Sequence, residues 1–165
     1  MDAALPEPLR ESLALVADAM RAAGDPWWII ASAAMALHGA HPIHVADVDL
    51  LTSERDAAAL IAALGLQPAP PGGTAQFRSA LFARWLTPPL PVEIMAGFQV
   101  RTPDGWQAVW PATRQARPLG ERVLFVPSAA ELIEHCRLFG RPKDEQRAAL
   151  MQRLANRSQI RSGRA

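Results

Sequence analysis

Residues 27–52, WWIIASAAMALHGAHPIHVADVDLLT, constrain this chain more than any other stretch. Trp27 to Ala31 is uniformly apolar and too short for an independent helix, which predicts a buried strand. A turn at Ser32 then opens a short Ala-rich helix ending near Gly39, followed by a connector and a second strand carrying Asp47-Val48-Asp49. Side chains alternate along a strand, so Asp47 and Asp49 share a face with Cα atoms about 6.6 Å apart. Val45, Val48, Leu50 and Leu51 make the same strand apolar, and an interior carboxylate pair is costly unless something positive lies between its members. A divalent cation meets that need, because hard oxygen ligands suit magnesium or manganese. The alternative is a solvated pair on an edge strand.

A small residue and a serine closing a strand, a helix ending in Leu37-His38-Gly39, and Asp-x-Asp followed by Leu50-Leu51 together resemble the nucleotidyltransferase superfamily, the polymerase-beta-like fold. The likeness is greatest to its small bacterial members, among aminoglycoside and toxin-type nucleotidyltransferases, and covers about Trp27 to Leu154. The chain departs from the pattern with Ala31-Ser32 where the family has Gly-Gly or Gly-Ser, and with a connector of 14 residues from Ala33 to Ala46. Downstream, Val92-Glu93-Ile94-Met95 sets one carboxylate inside an apolar strand, where acidic residues are rarely left unpaired. The resemblance implies that Glu93 is the third metal carboxylate, on a strand beside the Asp-x-Asp strand; an exposed strand residue is the other reading.

The implied activity is transfer of a nucleoside monophosphate from a nucleoside triphosphate to a hydroxyl acceptor, with release of pyrophosphate. Asp47, Asp49 and Glu93 would hold Mg2+ or Mn2+, and Glu93 is also a candidate general base. Nothing in the sequence selects a small molecule, a protein or an RNA as acceptor. The free amides after the first strand make Ala31 and Ser32 candidate nucleotide-binding residues, although Ser32 could equally be a helix cap. Lys143 is the one lysine among 17 basic residues. Its setting, Arg141-Pro142-Lys143-Asp144 after a capped helix, also resembles the small nucleotidyltransferases and implies an approach to the triphosphate.

With 165 residues, half of them hydrophobic, the chain can bury one core. The expectation is a single domain over residues 1–156, with a basic tail at 157–165 that frays. The alternation of strands and helices predicts an α/β (α+β) fold, a mixed β-sheet flanked by helices; the resemblance adds a nucleotidyltransferase-like core with a C-terminal helical pair. No apolar run approaches the ~20 residues of a membrane span, and the start is acidic and broken by proline, so a cytoplasmic setting is expected. The single Cys136 excludes an internal disulfide and a Cys-based zinc site, and reads as a small core residue. The oligomeric state is left open.

Leu9, Leu13, Val16 and Met20 predict an amphipathic helix over 9–23, stopped by Gly24. Ser53-Glu54-Arg55-Asp56 and Ser128-Ala129-Ala130-Glu131 each read as a capping box. Residues 75–87 read as one long strand, and Pro103-Asp104-Gly105 as the turn of a hairpin. His38, His41 and His44 invite a metal reading, but Pro42 breaks their spacing, which favours loop histidines. Trp85, Trp106 and Trp110 could stack on a base, though packing is the commoner role. Residues 141–165 hold seven basic and two acidic side chains against ten and 14 in residues 1–140. That end is either solvated or faces an anion, such as a triphosphate or RNA. The main rival function is a catalytically weak or inactive module of the same fold that binds a ligand or partner. A phosphohydrolase or a glycosyltransferase fits less well, for want of the further sheet residues or of room.

Overall fold

The computed structural model describes residues 4–164. Helix α1 (Glu7–Ala19), closed by a 3-10 turn (Met20–Ala22), buries Leu9, Leu13, Val16 and Met20. Their spacing of three and four is why this segment is a helix and why that stripe faces inward. Strand β1 (Trp28–Ile30) leads directly into helix α2 (Ala31–Leu37), and strand β2 (Val48–Leu51) into helix α3 (Glu54–Ala63). Then come β3 (Phe77–Arg78), β4 (Leu81–Trp85), β5 (Val92–Ala96), β6 (Gln99–Thr102), β7 (Gly105–Ala108), β8 (Gln115–Leu119) and β9 (Arg122–Val126). Helices α4 (Ala129–Phe139) and α5 (Pro142–Ser162) pack together as the C-terminal pair.

The strands form three sheets: a four-stranded sheet ordered β1-β2-β5-β4, a three-stranded β3-β6-β7 and the hairpin β8-β9. In the first, β2 and β5 are parallel and the outer pairs are antiparallel. The fold is thus α+β with a mixed central sheet. Residues 75–87 form two strands in different sheets instead of one, because Ser79-Ala80 breaks the run and β3 pairs with β6. The β6–β7 hairpin does turn at Pro103-Asp104, with Thr102 opposite Gly105.

Strand alternation divides the central sheet cleanly. Ile29, Leu50, Ile94 and Ala83 stand in one cross-strand row and join the main core with α1 and α3. On the other face, Trp28, Leu51, Met95 and Phe82 form an apolar row, continued outward by Trp110, whose ring lies 4.7 Å from Trp28. Beside it on the same face runs a second row: Ile30, Asp49, Glu93 and Arg84.

Both capping boxes are half realised. Ser53 accepts from the Asp56 amide and Ser128 from the Glu131 amide, so both helices begin as expected. The acids, however, turn to distant backbone: Asp56 accepts from the amides of Gly24 and Asp25, and Glu131 from those of Ala112 and Thr113. A local cap has become a tertiary clasp in each case. Helix α5 continues to Ser162, past the expected fraying at 157. Gln152 bonds Asn156, and the hydroxyls of Ser158 and Ser162 bond carbonyls four residues back, in a run rich in good helix formers.

Candidate active site

The carboxylates come together through sheet register. Asp49 sits directly opposite Glu93 in the parallel β2–β5 pair, and Ile30 is the β1 partner of Asp49. Because β1 runs antiparallel to β2, its C-terminal end, where α2 begins, lies at the end of the sheet that carries these acids. Asp47 falls in the bend just before β2 instead of within the strand. Asp47, Asp49 and Glu93 are all half-buried.

The charge balance around Asp49 is unfavourable to ionisation. Burial, the charge of Asp47 and the adjoining Glu93 carboxylate together push its carboxyl well above the usual range, with Arg147 acting in the opposite direction. Arg84, the β4 partner of Glu93, places Nε 3.7 Å from the Glu93 Oε1. Two guanidinium groups therefore bear on a cluster of three acids. Among the described residues no trio of acidic, histidine or cysteine side chains closes around a single point; Asp49 and Glu93 adjoin, and Asp47 acts on Asp49 through its charge.

Ala31, the first residue of α2, has φ +57°. That is left-handed backbone, where glycine is at ease and an L-residue is strained, which accounts for glycine at this turn in the resembling family. Ser32 is buried but is no cap: Ile30 occupies the cap position and no side chain closes the helix start. Facing this turn is a narrow crevice whose walls include Ile30 and Ala31 on one side and His135, Arg141, Asp144 and Arg147 of α4 and α5 on the other. Lys143 is exposed on the first turn of α5 and is not among its lining residues. The basic groups that approach the turn are Arg141 and Arg147.

Asp144 fixes both of these. Its carboxylate accepts from Arg141 Nε and Nη2 at 2.6 and 3.0 Å and lies 3.9 Å from Arg147 Nη1. Arg147 and Arg84 escaped the sequence reading, because only the burial of Asp144 and the register opposite Glu93 single them out. The histidines divide. His41 and His44 are exposed on the connector, whereas His38 is held between the Pro127 carbonyl at 2.8 Å and Arg117 Nη2 at 2.9 Å. Burial and the Arg117 charge hold its imidazole below the ordinary range despite the Pro127 carbonyl; because a guanidinium can only donate, Nδ1 accepts from Arg117 and Nε2 donates to the Pro127 carbonyl. Trp85 is core, Trp106 lies 4.2 Å beneath the Arg78 guanidinium, and Trp110 is half exposed. Burial pushes the Cys136 thiol up to about 11, as befits a core residue. Two wider cavities of about 540 and 580 Å³ lie away from the carboxylates, one between the end of α1 and β9, the other beside the connector.

No family model matches the sequence, and no curated protein does. Solved structures do match. A protein from Thermotoga maritima, TM1012, named as a candidate nucleotidyltransferase, superposes with a TM-score of 0.67 at 21% identity, over 87% of this chain and 91% of its own. The lincosamide antibiotic adenylyltransferase LnuA, solved with lincomycin bound, gives 0.58 at 10% identity, over 87% of this chain and 96% of its own. The antibiotic-resistance factor ANT(2'')-Ia gives 0.57 at 13% identity, over 98% and 96%. The chain has the nucleotidyltransferase fold. Among the described residues no helix is long and apolar enough to cross a membrane.

Proposed function

We propose that this chain is a metal-dependent nucleotidyltransferase that moves a nucleoside monophosphate from a nucleoside triphosphate to a hydroxyl acceptor and releases pyrophosphate. The observation that carries the reading is the opposition of Asp49 and Glu93 across parallel strands, with Asp47 adding negative charge at the end of the sheet where β1 turns into α2. Its three acids outnumber the two guanidinium groups that bear on them, and their donors are hard oxygens, so the chemistry of Asp47, Asp49 and Glu93 suits Mg2+ or Mn2+. Bound there, a divalent cation would neutralise charge on the phosphates and favour ionisation of the acceptor hydroxyl.

The remaining roles belong to the chain. The backbone at Ala31 and Ser32 receives the triphosphate at the turn, and Arg147, helped by Arg141, offers guanidinium donors to it from across the crevice. Lys143 supplies a more distant positive charge. Glu93 accepts the proton of the attacking hydroxyl, and Arg84 orients it. The acceptor is a small molecule, a protein or an RNA; the antibiotic adenylyltransferase among the structural neighbours lends weight to a small molecule. A cytoplasmic setting, with its supply of nucleoside triphosphates, belongs to the same reading, as does one domain over 1–156. One observation favours the non-catalytic rival: the Ala31 Cβ at a left-handed position stands where phosphate would approach the backbone.

The test is transfer of label from an α-phosphate-labelled triphosphate to a panel of acceptors in the presence of Mg2+, with Asp49→Asn as control. Magnesium-dependent labelling by the natural chain, lost in the variant, is expected. No labelling, together with equally weak ATP and GTP binding by both proteins, would leave the ligand-binding module instead.

A further inference from the structure

The last three turns of α5 carry a feature that nucleotidyl transfer does not use. From Gln146 to Ala165 the chain holds five arginines and no acidic residue. Arg153, Arg157 and Arg161 recur every four residues, which puts them on one ridge of the helix spanning about 12 Å. All three are exposed, and the helix has little cover here: Met151 is its last buried residue, and 156–162 are exposed throughout. The ion pairs of α5 lie near its start, Arg141 and Arg147 on Asp144; among the described residues no carboxylate pairs with the three ridge arginines. Like charges four residues apart repel along a helix, so the ridge has an unmet need for counter-charge.

We infer that this ridge is a docking surface for nucleic acid, held by the phosphodiester backbone of a duplex without reading of bases. Guanidinium groups in line suit successive phosphates, each able to take two hydrogen bonds. No aromatic residue follows Phe139, so unstacked bases have nothing to stack on here. Membrane is the poorer occupant, because residues 153–164 offer only Leu154, Ala155 and Ile160 as apolar groups, too few for the apolar face that a surface helix buries in lipid. The inference stands apart from the reaction at Asp49 and holds whether or not the chain is an enzyme.

Fluorescence anisotropy with labelled 20-base-pair RNA and DNA duplexes, titrated between 50 and 200 mM salt, tests it. Three phosphate contacts give a slope of log K on log salt of about −2.7, hence roughly 40-fold weaker binding across that range. RNA and DNA duplexes should bind alike. Each single variant, Arg153→Gln, Arg157→Gln or Arg161→Gln, should flatten the slope by about 0.9, and the triple variant should bind at least tenfold more weakly at 50 mM salt. Glutamine keeps the helix, which circular dichroism verifies. The charge-matched triple Arg10→Gln/Arg21→Gln/Arg55→Gln, remote from α5, should bind as the natural chain does. The inference is overturned by any of four results: no duplex binding at 50 mM salt, an unchanged slope in the ridge triple, an equal loss in the remote triple, or binding to phosphatidylserine vesicles that duplex does not displace.

Discussion

Asp144 and Asp49 are aspartates at opposite walls of one region, and their surroundings could hardly differ more. Asp144 is almost wholly buried, yet it accepts from Arg141 at two atoms and from the Arg141 backbone amide, with Arg147 at 3.9 Å. Asp49 stands opposite a second carboxylate, Glu93, and feels the charge of a third acid, Asp47. One carboxylate is held by three donors of a single arginine; the other stands among acids that outnumber the two guanidinium groups bearing on them. The first is how a protein fastens a helix, and the second is the charge pattern on which the proposed cation site rests. Asp56 and Glu131, each clasped by two backbone amides, belong with Asp144.

The contrast breaks most visibly on substitution. Asp49→Asn should reduce nucleotidyl transfer at least about 100-fold, the scale of losing one electrostatic contact to a reacting group, while leaving the midpoint of urea unfolding unchanged or higher, because a like-charge repulsion is removed. An unfolding midpoint that fell by more than that of Asp144→Asn would erase the distinction. Asp144→Asn should do the reverse and cost about 3 kcal/mol of stability, since Arg141 loses its charge partner; the same urea series measures it. Ala31→Gly relieves left-handed backbone strain and should stabilise the fold by ~0.5 kcal/mol after the entropy glycine adds to the unfolded chain; calorimetry should show a small rise in Tm, and a fall would mean that the strain is absent.

Glu131 sharpens the comparison by pH. Burial alone would raise its carboxyl, but the Thr113 hydroxyl and the amides of Ala112 and Thr113 outweigh burial and hold it below the ordinary glutamate range. A carboxylate whose folded pKa is depressed gives stability that is present above its unfolded pKa and lost as pH falls through the folded one. Stability should therefore decline as pH falls below about 4.3, and Glu131→Gln should flatten that part of the curve, as read from urea midpoints at a series of pH values. An unaltered curve would take Glu131 out of the donor-rich group. The slope should shrink only modestly, since this carboxylate is partly solvated.

Part of the candidate site was legible because its signals are local. Alternation paired Asp49 with Asp47, although Asp47 falls in the bend before β2 and not within the strand, and an acid within Val92–Met95 stood out against its apolar neighbours. The turn at Ala31 was legible as a turn, but its left-handed residue was not, since alanine does not announce that conformation as glycine does. Arg84 and Arg147 were illegible because nothing local distinguishes them from the other arginines; only strand register and helix packing select them. Lys143 drew notice through its rarity, and rarity carries no information about direction.

By itself the sequence determined the periodic elements: the stripe of α1, the capped starts of α3 and α4, the apolar strands β1, β2 and β5, and the presence of three acids. These follow from side-chain periodicity and from hydrogen bonds that span three or four residues. Only the tertiary structure decided that Glu93, and neither neighbour, stands opposite Asp49. It alone sent Asp56 and Glu131 to distant amides instead of their own caps, and let Arg147 face the acids while Lys143 faces solvent. A one-residue slip of register would reverse every side chain of β5, and register is set by how whole strands bury their faces together, a condition no short segment contains.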